Sequence, residues 1–365
     1  MRSTLLIVFG AALLTAGPAA QQPRDGGDVE VLLVHGSVYM IAGAGSNIAV
    51  SAGKDGVLLV DSGAAPMADK VISAIRQLQR ELVQRESPPE LRFGAETRGT
   101  LQASLNYIAP PKPIRYIINT TADADHVGGN EKIVKAGRTF TGGNVAGDIA
   151  DAGQGAAVIA YENVLTRMSA PTGQQSPTPS GAWPTDTFFQ ESMKVSHFFN
   201  GDGVQIIHIP SAHTDGDSIV YLRHSDVIAT GDIFDMTHYP VIDVDKGGSI
   251  NGVVDGLNKV LDLVIPEFRM EGGTMIVPGH GRISDGGDVA YYRDMVTIIR
   301  DRIADMVKKG MTLDQVKAAK PTADYDPRWS KSAYTADQFV EAAYKSLTPK
   351  KPTPAKPAPT TRTKN

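Results

Sequence analysis

The sequence predicts an α/β fold with mixed sheets. Short β-rich runs separated by glycine turns give way to amphipathic helical patterns, and this succession occurs twice along the chain. A third observation points to function. The turn from Asn119 to Asn130, N-T-T-A-D-A-D-H-V-G-G-N, follows the strand-like run Ile114–Ile118 and precedes an amphipathic segment, so its side chains sit where a buried strand ends. Asp123, Asp125 and His126 crowd two carboxylates and an imidazole into four residues. Such a group repels itself unless a cation or solvent relieves it, and a metal is the economical explanation.

With 365 residues and 41% hydrophobic content the chain can bury a large core. A formal net charge of −4 gives no electrostatic reason to expect nucleic acid. There are no cysteines, which excludes disulfides, thiolate metal sites and a cysteine nucleophile, and leaves His, Asp and Glu as the strong ligand types. Met1-Arg2, the apolar run Leu5 to Leu14 and the small residues Ala16 to Ala20 have the form of a secretory signal peptide over residues 1–20. The run is too short to span a bilayer. Cleavage near Ala19 or Ala20 and export to the periplasm or beyond are expected, with no membrane attachment afterwards.

The elements follow in order. Val29–Gly36, Ser37–Ala42, Asn47–Ala52 and Gly56–Asp61 read as an antiparallel meander, and Met67–Val83 as a surface helix. Glu86–Pro113 is a long connection before the Ile114 strand. His126–Ala136 is expected to be helical and closed by Gly137, and Asp148–Ser169 holds a further helical pattern. Ala170–Pro184, rich in Pro, Ser, Thr, Gly and Gln, is expected as a mobile loop. Met193–Phe199, Val204–Ile209, Ser218–Arg223 and Val227–Thr230 are strands, Ile250–Val264 is a helix and Thr274–Val277 a buried strand. Three helices follow, Asp285–Lys309, Thr312–Ala319 and Ala336–Leu347, the last capped by Thr335. Residues 28–310 are expected to form the main domain, 311–348 a helical extension and 349–365 a disordered tail.

Three further loops follow predicted strands. They are Pro210 to Ser218, containing His213-Thr214-Asp215-Gly216; Thr230-Gly231-Asp232; and Pro278-Gly279-His280-Gly281. Together with Asp125-His126-x-Gly128-Gly129, in this order over roughly 160 residues, they resemble the motifs of the metallo-β-lactamase superfamily. The resemblance implies an αβ/βα sandwich of two mixed sheets flanked by helices, with a metal groove along their shared edge. It also exposes a departure. The superfamily's usual turn is T-H-x-H-x-D-H-x-G-G, and here Thr121 and Asp123 stand where its first two histidines would be.

Imidazole and carboxylate are good ligands for a borderline cation such as zinc, and three protein ligands with an open position is the catalytic pattern. Asp125, His126 and His280, with Asp232 nearby, fill one such site, and this is where an ion is expected. The other site is left with Asp123, His213 and Asp232, a harder donor set that suits a weaker second ion, manganese or iron included. One subgroup of metallo-β-lactamases also lacks the first histidine and works with a single zinc. The resemblance thus implies a hydrolase of a small-molecule lactam, ester, lactone or thioester, in which a metal-bound hydroxide attacks the carbonyl and Asp125 holds or deprotonates the water. The competing reading is a binding protein that kept the fold and lost catalysis. His238, close after the Gly231-Asp232 motif, is a candidate substrate contact. His35, His197, His208 and His224 lack a partner motif and read as surface or packed residues. Asp215 and Asp217 read as loop-orienting, and Asp61, at the end of the opening strand, as a cap of local backbone amides rather than a ligand.

Overall fold

The computed structural model describes residues 28–85, 112–139, 155–171, 173–265 and 273–348. The expected leader, nearly all of the connection after Glu86, the start of the Asp148–Ser169 pattern and the tail lie outside the described residues.

The first sheet runs in sequence order: β1 (Glu30–His35), β2 (Val38–Ala44), β3 (Ser46–Gly53), β4 (Gly56–Val60), β5 (Ile114–Ile118), β6 (Ala157–Tyr161) and β7 (Asp186–Phe188). β1 to β4 form the expected antiparallel meander, and β4 to β7 pair in parallel. The second sheet holds β8 (Ser192–Phe199), β9 (Asp202–His208), β10 (Ser218–Leu222), β11 (Val227–Gly231), β12 (Met275–Pro278) and β13 (Ser284–Asp285), in the reverse order β13-β12-β11-β10-β9-β8. Only β11 and β12 are parallel among these pairs.

Strand alternation makes the layers. In β4, Leu58 and Val60 point between the sheets to meet Val220, Leu222 and Val277, while Val57 and Leu59 point outward. A strand buried on both faces needs this unbroken apolar run. The outward face is covered by α1 (Ala68–Arg85), through Val71, Ile75 and Leu78, with help from Ile133. Two short helices, α2 (Ala124–Val127) and α3 (Asn130–Ala136), follow β5, and α4 (Glu162–Met168) follows β6. The outer face of the second sheet is covered by α5 (Ile250–Leu263) and α6 (Gly286–Lys308). Beyond them α7 (Leu313–Ala318), α8 (Asp326–Trp329) and α9 (Ala336–Leu347) add Val316, Trp329, Phe339 and Val340 to the same apolar cluster. Two mixed sheets flanked by helices are thus observed, and no helix among the described residues is long and apolar enough to cross a membrane.

Some expectations are corrected. The pattern taken as one helix up to Ser169 contains β6, because Ala157-Val158-Ile159-Ala160 pairs in parallel with β5 and β7, and helix begins only at Glu162. A short apolar run has no period that separates strand from helix. The helix expected over His126–Ala136 is two helices, broken at Gly128-Gly129. The loop Ala170–Pro184 is packed at its far end, where Ala182 and Trp183 join Val127, Val164 and Met168 and the Trp183 indole donates to the Thr178 carbonyl. β7 and α8 have no expected counterpart, being too short and too polar at their starts to carry a period. Thr335 caps α9 as expected, its hydroxyl accepting from the Gln338 amide.

Trp329 is fully buried and meets Tyr292 edge-on with ring centroids 5.0 Å apart. Its replacement by alanine is expected to cost about 3–5 kcal/mol in denaturant unfolding, from the lost contacts and the cavity left behind. A loss under about 1 kcal/mol would show that the C-terminal helices contribute little to the fold.

Candidate metal centre

The Asp/His turn is built by close approach. Backbone bonds from His126 and Val127 to the Asp123 carbonyl wind one helical turn after β5 and aim Asp125 and His126 along the sheet edge. This turn docks on the segment after β4: Ser62 donates to the His126 carbonyl through both its amide (2.8 Å) and its hydroxyl (3.0 Å), and the Gly129 amide donates to Gly63. A Cβ on Gly129 would overlap the Ser62 carbonyl, and one on Gly128 would overlap Ala65 and Ala124. Space, not backbone conformation, requires both glycines.

Loops at the ends of β4, β5, β9, β11 and β12 converge here. Asp61, after β4, accepts from the Thr120 amide (2.8 Å) and hydroxyl (2.6 Å) and from His126 Nδ1 (2.8 Å). His126 Nε2 therefore faces the groove, 3.0 Å from Asp232 Oδ1. His280 Nε2 lies 3.3 Å from Asp125 Oδ2 and 3.5 Å from the same Asp232 oxygen. On the other side His213 Nε2 is 3.4 Å from Asp123 Oδ2, and His213 Nδ1 is 3.9 Å from Asp232 Oδ2. Two groups result, Asp125–His126–His280 and Asp123–His213–Asp232, each offering three ligand atoms within 4.8 Å of one another. Asp232 turns one oxygen towards each. The two sheets are also joined directly at this edge: the Asn47 side chain donates to the Pro278 and Gly281 carbonyls, and the Ser218 amide donates to Thr120.

The family model described as "Metallo-beta-lactamase superfamily" matches residues 41–280. The chain belongs to the metallo-beta-lactamase superfamily. Among solved structures, it is similar to the stereoselective inverting sec-alkylsulfatase Pisa1 from Pseudomonas sp., at 16% identity and a TM-score of 0.54, over 87% of this chain and 50% of the sulfatase. It is also similar to a metallo-beta-lactamase from Pontibacter korlensis, at 14% identity and a TM-score of 0.48, over 74% of this chain and 99% of that one. The DIM-1 metallo-beta-lactamase shares 10% identity at a TM-score of 0.46, over 74% and 97% of the two chains. No curated protein matches the chain by sequence.

In this superfamily member the donor set fits a divalent cation, because Asp oxygens and His nitrogens from separate loops converge within 4.8 Å and crowd carboxylates whose charge must be balanced. In the metal-free protein protons must supply that balance. Burial opposes protonation of His126, but the carboxylates of Asp232 and Asp61 on its two nitrogens outweigh it and hold the imidazole well above its usual range. For His213, burial is again outweighed, here by Asp217, Asp232 and Asp123, which raise it to about 9. His280 is likewise raised to about 10 against burial by Asp125 and Asp232. The acids divide. Burial would raise Asp232, yet the three histidines hold it well below the carboxylate range. The His280 hydrogen bond lowers Asp125. Asp123 alone of the three is raised, by burial and Asp232, with His213 and Lys246 only partly offsetting.

The remaining residues fall into place around this centre. Thr121 is buried and its hydroxyl has no hydrogen-bond partner among the described residues, so none of them replaces the imidazole that the superfamily motif carries there. Asp217 accepts from the Thr214 amide and hydroxyl, and Asp215 accepts from Asn163 and Arg167, so both tie down the His213 loop. His238 lies beside the groove, its ring 6.0 Å from that of His280. Its Nδ1 is 2.7 Å from the Tyr239 carbonyl and its Nε2 3.2 Å from Asp235, so both nitrogens already face acceptors. His208 stacks on Tyr161, away from the two groups, and His35 Nδ1 bonds the Ser225 carbonyl. Asp61 corrects its expected role: it holds an amide 59 residues away and a ring nitrogen 65 residues away, not local amides. A strand-end aspartate followed by Ser-Gly was its only sequence signal.

Two outcomes follow from these contacts. Asp61→Asn removes the anion behind His126 while leaving an acceptor for Thr120, and is expected to weaken zinc binding about 10-fold or more, as loss of a carboxylate behind a ligand histidine does; unchanged affinity in a competition titration would deny Asp61 this role. Because His280 and His126 are protonated near neutrality in the metal-free protein, one zinc ion should displace about two protons at pH 7 from the Asp125–His126–His280 group. Affinity should then rise with pH above neutrality, the share due to His280 ending at about 10, where it loses its proton unaided. Calorimetry in buffers of different ionisation heat measures the protons, and zero release contradicts the electrostatics described.

Proposed function

We propose that this superfamily member is an exported metal-dependent hydrolase acting on a small-molecule lactam, ester, lactone or thioester. Zinc is held by Asp125, His126 and His280, and Asp123, His213 and Asp232 form a weaker position suited also to manganese or iron. The observation that carries this reading is the convergence of six ligand side chains from four loops into two adjoining groups. The charged, apolar and small-residue succession at the start of the sequence supports export.

When bound, a divalent cation here supplies acidified water and polarises the carbonyl under attack. The chain's own residues do the rest. Asp125 is the most exposed carboxylate of the centre, with 40% of its side chain accessible against 33% for Asp123 and 15% for Asp232, so it is the carboxylate of its own group that meets water in the groove. Asp125 is already below its usual range in the metal-free protein, through the His280 hydrogen bond, and a bound cation would keep it ionised once His280 turned to the metal. His126 and Asp232 are too enclosed to exchange protons with substrate, and serve to hold charge in place. His238 borders the groove beside His280, its Nδ1 engaged by the Tyr239 carbonyl and its Nε2 set 3.2 Å from Asp235.

A second reading, a metal-binding protein without turnover, is favoured by one observation, a Thr121 hydroxyl without a partner among the described residues in place of an imidazole. Elemental analysis of the purified protein, followed by assays of zinc-loaded protein on lactam, lactone, ester and thioester substrates, separates the two. The hydrolase reading expects turnover with at least one class and a fall in kcat of about 10²–10⁴-fold in Asp125→Asn. Bound zinc with no turnover on any class leaves the binding protein.

A further inference from the structure

Lys246 is the cation nearest to the altered half of the centre among the described residues, and its position is built rather than incidental. It ends a 3-10 turn, Val244–Lys246, whose cap Asp243 accepts from the Lys246 amide at 3.0 Å and from its ammonium at 2.9 Å. Gly247, at φ 85°, closes the turn in the left-handed conformation. The turn is fastened to the His213 loop: the Asp243 amide donates to the His213 carbonyl, the Asp215 amide donates to the Lys246 carbonyl, and Arg167 donates to that same carbonyl at 2.8 Å. The backbone carrying Lys246 thus moves with His213.

The ammonium stands 4.0 Å from Asp123 Oδ1, while Asp123 Oδ2 faces His213 Nε2 at 3.4 Å. One carboxylate is shared between a fixed positive charge and the place where a second ion would sit. Two effects compete. A cation behind a ligand can orient it and so strengthen metal binding, but 4.0 Å is beyond hydrogen-bond reach and the lysine side chain is about half exposed. Repulsion between the ammonium and a divalent ion needs no such contact, and it acts at this range through a partly buried medium. Repulsion is therefore the larger effect. Asp243 offsets part of the lysine charge, so the result is a graded weakening rather than an exclusion.

We propose that Lys246 sets the metal stoichiometry of this centre, its ammonium taking up the charge of Asp123 that a second cation would otherwise use. The inference rests on the reading of the two groups as metal sites. Zinc titration of the full chain by calorimetry, with elemental analysis after desalting, tests it on the wild type, Lys246→Met and Lys246→Arg. The wild type should retain one ion and bind a second at least about 10-fold more weakly; Lys246→Met should tighten the second by about 10-fold or more and retain two; Lys246→Arg, which keeps the charge, should behave as the wild type. A second-ion affinity in Lys246→Met that is unchanged or weaker overturns the proposal, as does a wild type that holds two ions equally well. Zinc bound by no variant overturns it together with the metal-site reading, whereas one tight ion in all three overturns it alone. The side chain is half exposed, so the methionine variant should fold, and its unzinced melting curve checks this.

Discussion

The buried imidazole of His126 holds this architecture together at its working edge. Its two nitrogens are gripped by Asp61 from the first sheet and Asp232 from the second, at 2.8 and 3.0 Å, so the ring joins the two halves of the sandwich by charge. Burying one ionised group without a partner costs several kcal/mol, and here several carboxylates and imidazoles share one enclosed groove. The arrangement is stable only as a set. Removing one member leaves its neighbours with charge that neither water nor the apolar core can take up.

The layers serve that set by making its geometry rigid. Strands buried on both faces cannot slip without turning core residues towards solvent or into the opposing sheet, so the ends of β4, β5, β9, β11 and β12 are fixed relative to one another. Short loops then need only aim side chains. Gly128 and Gly129 show how strictly this is done, since the His126 turn reaches its place only because no side chain stands between it and Ser62 and Ala65. On the far side, the terminal helices bury Trp329 and Phe339 against the helices that cover the second sheet, and the stacking of Phe339 on Tyr239 ties them to the segment after β11.

Much of this was legible from residues alone, and what was not has a common cause. Asp125, His126, His213, Asp232 and His280 stand out because each follows a β-rich run in a motif of restricted spacing, and the groove brings all five together. The partners of Asp61, Asn47 and Lys246 were not visible, because each acts across space on a residue dozens to hundreds of positions away, and only Asp61 carried a local signal, a strand-end aspartate before Ser-Gly. The helix boundaries failed for a related reason. Gly128-Gly129 interrupts a helical period only because of what it packs against, and β6 is a strand because β5 and β7 lie on either side to pair with it.

The departure at Thr121 and Asp123 acts on charge more than on shape. Exchanging a neutral imidazole for a carboxylate leaves the Asp123–His213–Asp232 group with two anionic donors, which would neutralise a divalent ion and reduce its power to acidify water. The Asp125–His126–His280 group has one carboxylate of its own and two imidazoles, so an ion there keeps net positive charge even when Asp232 is shared. Asp123 is also the carboxyl most ready to accept a proton, being raised by burial while Asp125 and Asp232 are lowered by their histidines. Both comparisons point the same way. Lewis acidity and a solvent-accessible carboxylate held below its usual range coincide only on the Asp125 side of the groove, so the two positions are unequal in chemistry.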